Sequence, residues 1–166
     1  MIIWLIGLSG SGKSYLADLL YQRVKLYKKN TFLMDGDSFR EAMDNDLGYT
    51  LEDRYKNGWQ LVRFSQMLND QSINVIAPVL SIFHEHQTYL QRTIMHYRQI
   101  YVKSELHTIE TKDVKGIYKN MKNIAGKDIQ FPEPINSDYV FNNEFSPEKA
   151  SDFVEKIIED TMSVLD

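Results

Sequence analysis

The chain has 166 residues, a formal net charge of −4 and no cysteine. That length suits one domain with a full core of its own, and the missing cysteines exclude disulfides, thiolate zinc sites and a cysteine nucleophile. Mild acidity without a basic block argues against nucleic acid as a partner.

The opening run "MIIWLI" is apolar but far too short to span a membrane. It lacks a basic leader and a small-residue cleavage site, so it reads as a buried first strand. The expectation is a soluble, cytoplasmic chain with no membrane partner. Leu16, Leu19, Leu20, Val24 and Tyr27 then recur at helical spacing, and "KKN" closes that helix. "TFLM" reads as a second strand. A long helix is predicted over Leu51 to Gln71. Its apolar residues cover more than one face (Tyr55, Trp59 and Val62; Leu61, Phe64 and Leu68), which predicts deep packing. "INVIAPVL" and "QIYVK" read as the third and fourth strands, and "DYVF" as a weaker fifth. Ser146-Pro147 opens a last helix with Ala150, Phe153, Val154, Ile157 and Ile158 on its inner stripe. Strands separated by helices predict an α/β fold with a parallel sheet covered on both sides. The stretch from about Thr111 to Ser137 fits neither period and reads as a mobile lid within the single domain 1–166.

"GLSGSGKS", Gly7 to Ser14, matches G-x-x-x-x-G-K-[ST] between a strand and a helix. Such a loop turns backbone N–H groups inward to form a nest for phosphate oxygens, and the helix start adds its positive dipole end. Gly7, Leu8, Ser9, Gly10, Ser11, Gly12, Lys13 and Ser14 are therefore candidate ATP contacts, with Lys13 reaching the terminal phosphates and the Ser14 hydroxyl suited to Mg²⁺.

The loop alone leaves hydrolases and kinases open. No N-K-x-D occurs, as a GTPase would need, and "INVIAPVL" ends without the carboxylate usual in motor and transporter ATPases. The acid must come from "MDGDSFRE" after the second strand, where Asp35 and Asp37 reach the ligand-binding edge of such a sheet. One carboxylate there can orient Mg²⁺ or its waters, and the other can accept a proton from an attacking hydroxyl. The same Asp-Gly-Asp turn could also simply cap the next helix.

Five stretches in order, "GLSGSGKS", "MDGDSFR", "DLGYTLEDRYKN", "LSIF" and "KDVKGIYK", resemble the adenylylsulfate (APS) kinases to about Tyr139. The resemblance implies a three-layer P-loop kinase fold with five parallel strands and a short lid. It also implies transfer of the ATP γ-phosphate to the ribose 3′-hydroxyl of a small nucleotide acceptor with a mixed-anhydride tail, with Mg²⁺ assisting. Asp37 matches the family's base and, with Ser14, its metal side. Lys112 and Lys115 match lid residues of the ATP side, Lys115 closing over the phosphates as a catalytic cation beside Lys13. Asp35, Arg40, Tyr49, Arg54, Asn57, Ser81 and Phe83 match the acceptor side. Ser81 falls on a serine for which the family records a phosphorylated intermediate, although direct in-line transfer needs none. Homodimers are common in the family, and no residue here decides the matter.

The departures fall on the acceptor side. Gly58-Trp59-Gln60 stands where the family has I-R-R, the lid is shortened, and Ile124 replaces the lid phenylalanine that stacks on the APS adenine. Losing that ring removes about 1 kcal/mol or more of stacking. "LSIF" and "FPEP" also resemble a divergent capsule-biosynthesis branch whose acceptor is cytidine diphosphoramidate, and a pyrimidine needs less stacking area. That acceptor ranks ahead of APS, with a non-catalytic nucleotide-binding protein as a further alternative. Kinases of the gluconate or shikimate type lack the paired D-G-D and D-R-x-x-N signatures. In "HEH", His84 and His86 are two apart and point to different sides of a helix, so they chelate poorly and read as the start of a solvated helix. His84 stands where the family has a cation, which suits a weak phosphate contact.

Overall fold

A computed structural model describes residues 1–113 and 116–162. Five strands form one parallel sheet: β1 (Ile2–Ile6), β2 (Thr31–Leu33), β3 (Asn74–Val79), β4 (Tyr97–Lys103) and β5 (Tyr139–Asn142), in the order β2-β3-β1-β4-β5. Ile2 aligns with Val75 on one side and Tyr97 on the other, so β1 is central and every one of its residues is buried. This is why "IIWLI" shows no polar alternation.

The pleat divides the core into two layers. Ile3 and Leu5 face α1 (Lys13–Tyr27) and α7 (Pro147–Met162), meeting Leu16, Leu20, Val154 and Ile157. Ile2, Trp4 and Ile6 face the other way, with Val62 of α3 (Leu51–Asp70) and Leu90 of α4 (His84–Thr93). The expected three-layer α/β architecture is present, and the five strands fall where the sequence pattern put them, within two residues at each end.

Two expectations are corrected. Only Leu61, Val62 and Ser65 of α3 are buried. Its first turns border a cavity instead of a packed layer, and Tyr55 stays 37 % exposed. The segment predicted as an irregular lid contains the end of α5 (Leu106–Lys112) and a single turn, α6 (Ile117–Asn120), both too short to leave a readable period. α2 (Gly36–Ala42) carries Asp37 and Arg40, and α3 carries Arg54 and Asn57. No helix among the described residues is long and apolar enough to cross a membrane.

Candidate active site

The C-terminal ends of β1, β2 and β3 open onto a cavity of about 530 Å³. The phosphate loop forms one wall. Gly12 precedes α1 with φ +91°, a conformation that favours glycine, and a Cβ there would collide with Asn143 Nδ2. Ser9, Gly10, Gly12, Lys13 and Ser14 line the cavity. Gly7 is packed against the Val102 carbonyl, Ser11 is fully buried behind the loop, and Leu8 packs into the lid. Lys13 Nζ donates to the Leu8 carbonyl at 2.7 Å.

Asp35 caps α2: its Oδ1 accepts from the Asp37 and Ser38 N–H groups at 3.0 and 3.2 Å. Its Oδ2 accepts from the Ser14 hydroxyl at 3.3 Å. Asp35 thus does both jobs, the structural cap and the carboxylate at the phosphate loop, and Asp37 lines the same cavity from the first turn of α2. Ser14, Asp35 and Asp37 offer the hard oxygen donors that Mg²⁺ takes. No cluster of three or more His, Asp or Glu side chains suited to a metal occurs among the described residues.

Two guanidiniums share the Tyr49 ring, Arg40 at 4.8 Å and Arg54 at 5.3 Å from its centroid. Arg40, 9 % exposed, donates to the Leu47 and Gly48 carbonyls. Arg54 donates to the Tyr49 carbonyl at 3.1 Å and to the lid carbonyl of Asn123 at 2.8 Å. Burial, then the neighbouring Arg40 charge, lowers the Arg54 pKa from its ordinary value. Asn57 joins this wall one turn of α3 beyond Arg54.

The other expected residues divide between the cavity wall and the packing behind it. Ser81 is buried and accepts from Gln87 Nε2 at 3.3 Å, and Phe83 packs edge-on against Tyr55 at 5.1 Å; neither lines the cavity. Ile124 borders the cavity but is only 4 % exposed, its side chain clustered with Ile109 and Tyr118. Lys112 does line the cavity, and its ammonium lies over the Phe145 ring at 4.0 Å. Lys115 lies outside the described residues. His84 meets the Glu133 carbonyl at 2.9 Å. His86 departs from the solvated-helix expectation. It is buried among rings of α3, and burial pulls its pKa from 6.5 to about 4. A histidine neutral in the folded chain and protonated when unfolded stabilises fully above pH 6.5 and loses that contribution as pH falls towards about 4. A thermal melt series from pH 7.5 to 4.5 is expected to show falling stability through that window, and His86→Phe to flatten it.

Sequence reasoning missed the braces. Asn143 Nδ2 donates to the Ser11 carbonyl at 2.7 Å, and Ser104 Oγ reaches the same oxygen at 3.2 Å. Asn143 Oδ1 accepts from Phe145 N–H at 2.8 Å, which holds Phe145 at φ +61° on the cavity wall. Tyr118 OH donates to the Ser9 carbonyl at 2.9 Å, tying lid to loop, and burial keeps that phenol neutral with a pKa pushed up to about 12. The "KGIYK" stretch held the only local signal for these, its tyrosine.

This geometry agrees with what similarity shows. The family model for adenylylsulphate kinase matches residues 1–142. A cytidine diphosphoramidate kinase of Campylobacter jejuni is 36 % identical over 147 residues, covering 86 % of this chain and 85 % of that protein. An adenylyl-sulfate kinase of Oceanobacillus iheyensis is 30 % identical over 150 residues, covering 86 % and 75 %. Among solved structures, the Mycobacterium tuberculosis APS kinase in complex with AMPPNP and APS superposes with a TM-score of 0.82 at 27 % identity, covering 95 % of both chains.

Proposed function

The chain belongs to the adenylylsulfate kinase family of nucleotide kinases, and from that premise we propose that it phosphorylates the ribose 3′-hydroxyl of cytidine diphosphoramidate. ATP is the donor. The observation that carries this reading is one cavity lined by the phosphate loop, the Asp35–Asp37 turn and the Arg40–Arg54 pair. A donor tail, a base and an anionic acceptor tail would meet there.

The ATP phosphates lie in the loop's amide nest, with Lys13 drawn from the Leu8 carbonyl to their negative charge. Asp37 takes the proton of the 3′-hydroxyl as its oxygen attacks the γ-phosphorus, and the bond to the β-phosphate oxygen breaks to release ADP. Ser14 and Asp35, already in contact, would hold Mg²⁺ or its waters, which leaves Asp37 for the proton and shifts the metal role expected of it. Bound Mg²⁺ would neutralise charge building on the β- and γ-oxygens. Arg40 and Arg54 fit the acceptor's phosphate chain, since guanidinium groups clamp such oxygens bidentately.

The choice of base is supported by Ile124. Buried in the lid cluster, it offers the cavity no ring, and a single-ring base loses less by that than adenine does. The 36 % identity to the Campylobacter enzyme points the same way. APS is the second reading, favoured by the Oceanobacillus relative. One assay separates them: ATP with each acceptor in turn, following ADP release and the 3′-phosphorylated product. Cytidine diphosphoramidate is expected to give the larger kcat/KM. Preference for APS reverses the assignment, and turnover of neither removes both.

A further inference from the structure

Beside the cavity, a cluster of rings joins α3 to α4 around His86, which is 1 % exposed. Its ring centroid lies 4.9 Å from Trp59, 5.2 Å from Tyr55 and 5.5 Å from Phe83. The ring fills a notch in α3 at Gly58, where any Cβ would overlap His86 Cε1 and Nδ1. His86 Nε2 is buried without a hydrogen-bond partner. Shape, not a polar network, holds this ring.

The cluster touches both elements that build the acceptor half of the cavity. On α3, Tyr55, Gly58 and Trp59 meet His86, while Arg54, Asn57 and Leu61 line the cavity. Phe83 ends the stretch that leaves β3, and Val79 and Leu80 of that exit also line the cavity. A shift of α3 against α4 therefore moves the arginine wall relative to the β3 exit.

We propose that His86, keyed into Gly58, is a positioning residue for the acceptor: it fixes where α3 presents Arg54 and Asn57. The proposal rests on reading those two residues as acceptor contacts. It also accounts for Gly58-Trp59-Gln60, the stretch that departs from the family pattern: a small residue admits the imidazole and an aromatic one walls it.

The test compares Gly58→Ala, His86→Ala and the double variant in the full chain. ADP affinity by calorimetry reports the donor side and the fold. Inorganic sulfate titrated into ADP-saturated protein reports the arginine pair without presuming the acceptor base, and acceptor KM is measured for both candidate nucleotides. Gly58→Ala is expected to weaken sulfate binding and raise acceptor KM by about tenfold or more, with ADP affinity within about twofold, because small misplacements of positioning groups are costly. The double variant is expected to match His86→Ala alone, since the clash vanishes with the ring. A merely structural role would lower the melting temperature and leave the ratio of acceptor KM to ADP affinity unmoved. Unchanged sulfate binding and acceptor KM in whichever single variant binds ADP, or a double variant with additive losses, overturns the proposal. Wild-type protein that phosphorylates neither nucleotide sinks the acceptor reading alone, because the sulfate titration still decides this one.

Discussion

Asp37→Asn is expected to lower kcat by about 10²–10⁴-fold, the usual worth of a positioned general base, with KM for ATP nearly unchanged. Asparagine keeps the size of the side chain and leaves the backbone N–H free to donate to Asp35 Oδ1 as before. The α2 cap, built on Asp35, therefore survives, and so does the contact of Asp35 with Ser14. What disappears is a carboxylate able to take a proton in the transition state. An interaction made only there lowers kcat and kcat/KM together. The measurement is acceptor-dependent ADP release at saturating ATP, with ADP affinity as the control for the fold. Turnover retained within a few fold would place the base elsewhere and break the assignment of roles between the two aspartates.

That assignment depends on how far each part of the site could be read from sequence. The phosphate loop was fully legible, because its determinants are local: a buried strand, glycine at φ +91° and a helix start lie within a dozen residues. The Asp35–Asp37 turn was legible as a helix cap, and the structure shows that Asp35 makes the cap and also accepts from Ser14 of the phosphate loop. The sheet was legible because a central parallel strand has no polar face to obscure its run. The braces were not. Asn143 reaches the Ser11 carbonyl across 132 positions by a single side-chain hydrogen bond, and such a bond leaves no period in the sequence. His86 was misjudged for a related reason. A polar residue in the run "HEH" looks solvated until the notch at Gly58, 28 positions earlier, is seen to receive it. The inward turn of Ile124 into the lid cluster came only with the fold, because its partners Ile109 and Tyr118 meet it through tertiary packing.

The arginine pair carries the second large expected effect. Arg54→Ala is expected to raise acceptor KM by about 10–150-fold, corresponding to the 1.5–3 kcal/mol of a hydrogen bond to a charged group, with KM for ATP held within about twofold. Arg40 and Arg54 converge on one ring, and among the described residues no carboxylate pairs with either. Two like charges held this close repel, and the lowered pKa of Arg54 reflects that as well as burial. An anionic acceptor tail relieves the repulsion, so its binding gains more than a lone arginine would give. Removing Arg54 also frees the Asn123 carbonyl and unhooks the lid from α3. Arg54→Lys is expected to recover only a small part of the loss. A single ammonium cannot span the Tyr49 and Asn123 carbonyls as the guanidinium fork does. Two hydrogen bonds and a ring contact are lost along with the repelling charge, so the melting temperature is expected to fall slightly. Initial rates across acceptor concentration, at saturating ATP, decide the matter. An acceptor KM unchanged in Arg54→Ala would mean that the pair faces no acceptor anion and that the acceptor half of the cavity has been placed on the wrong wall.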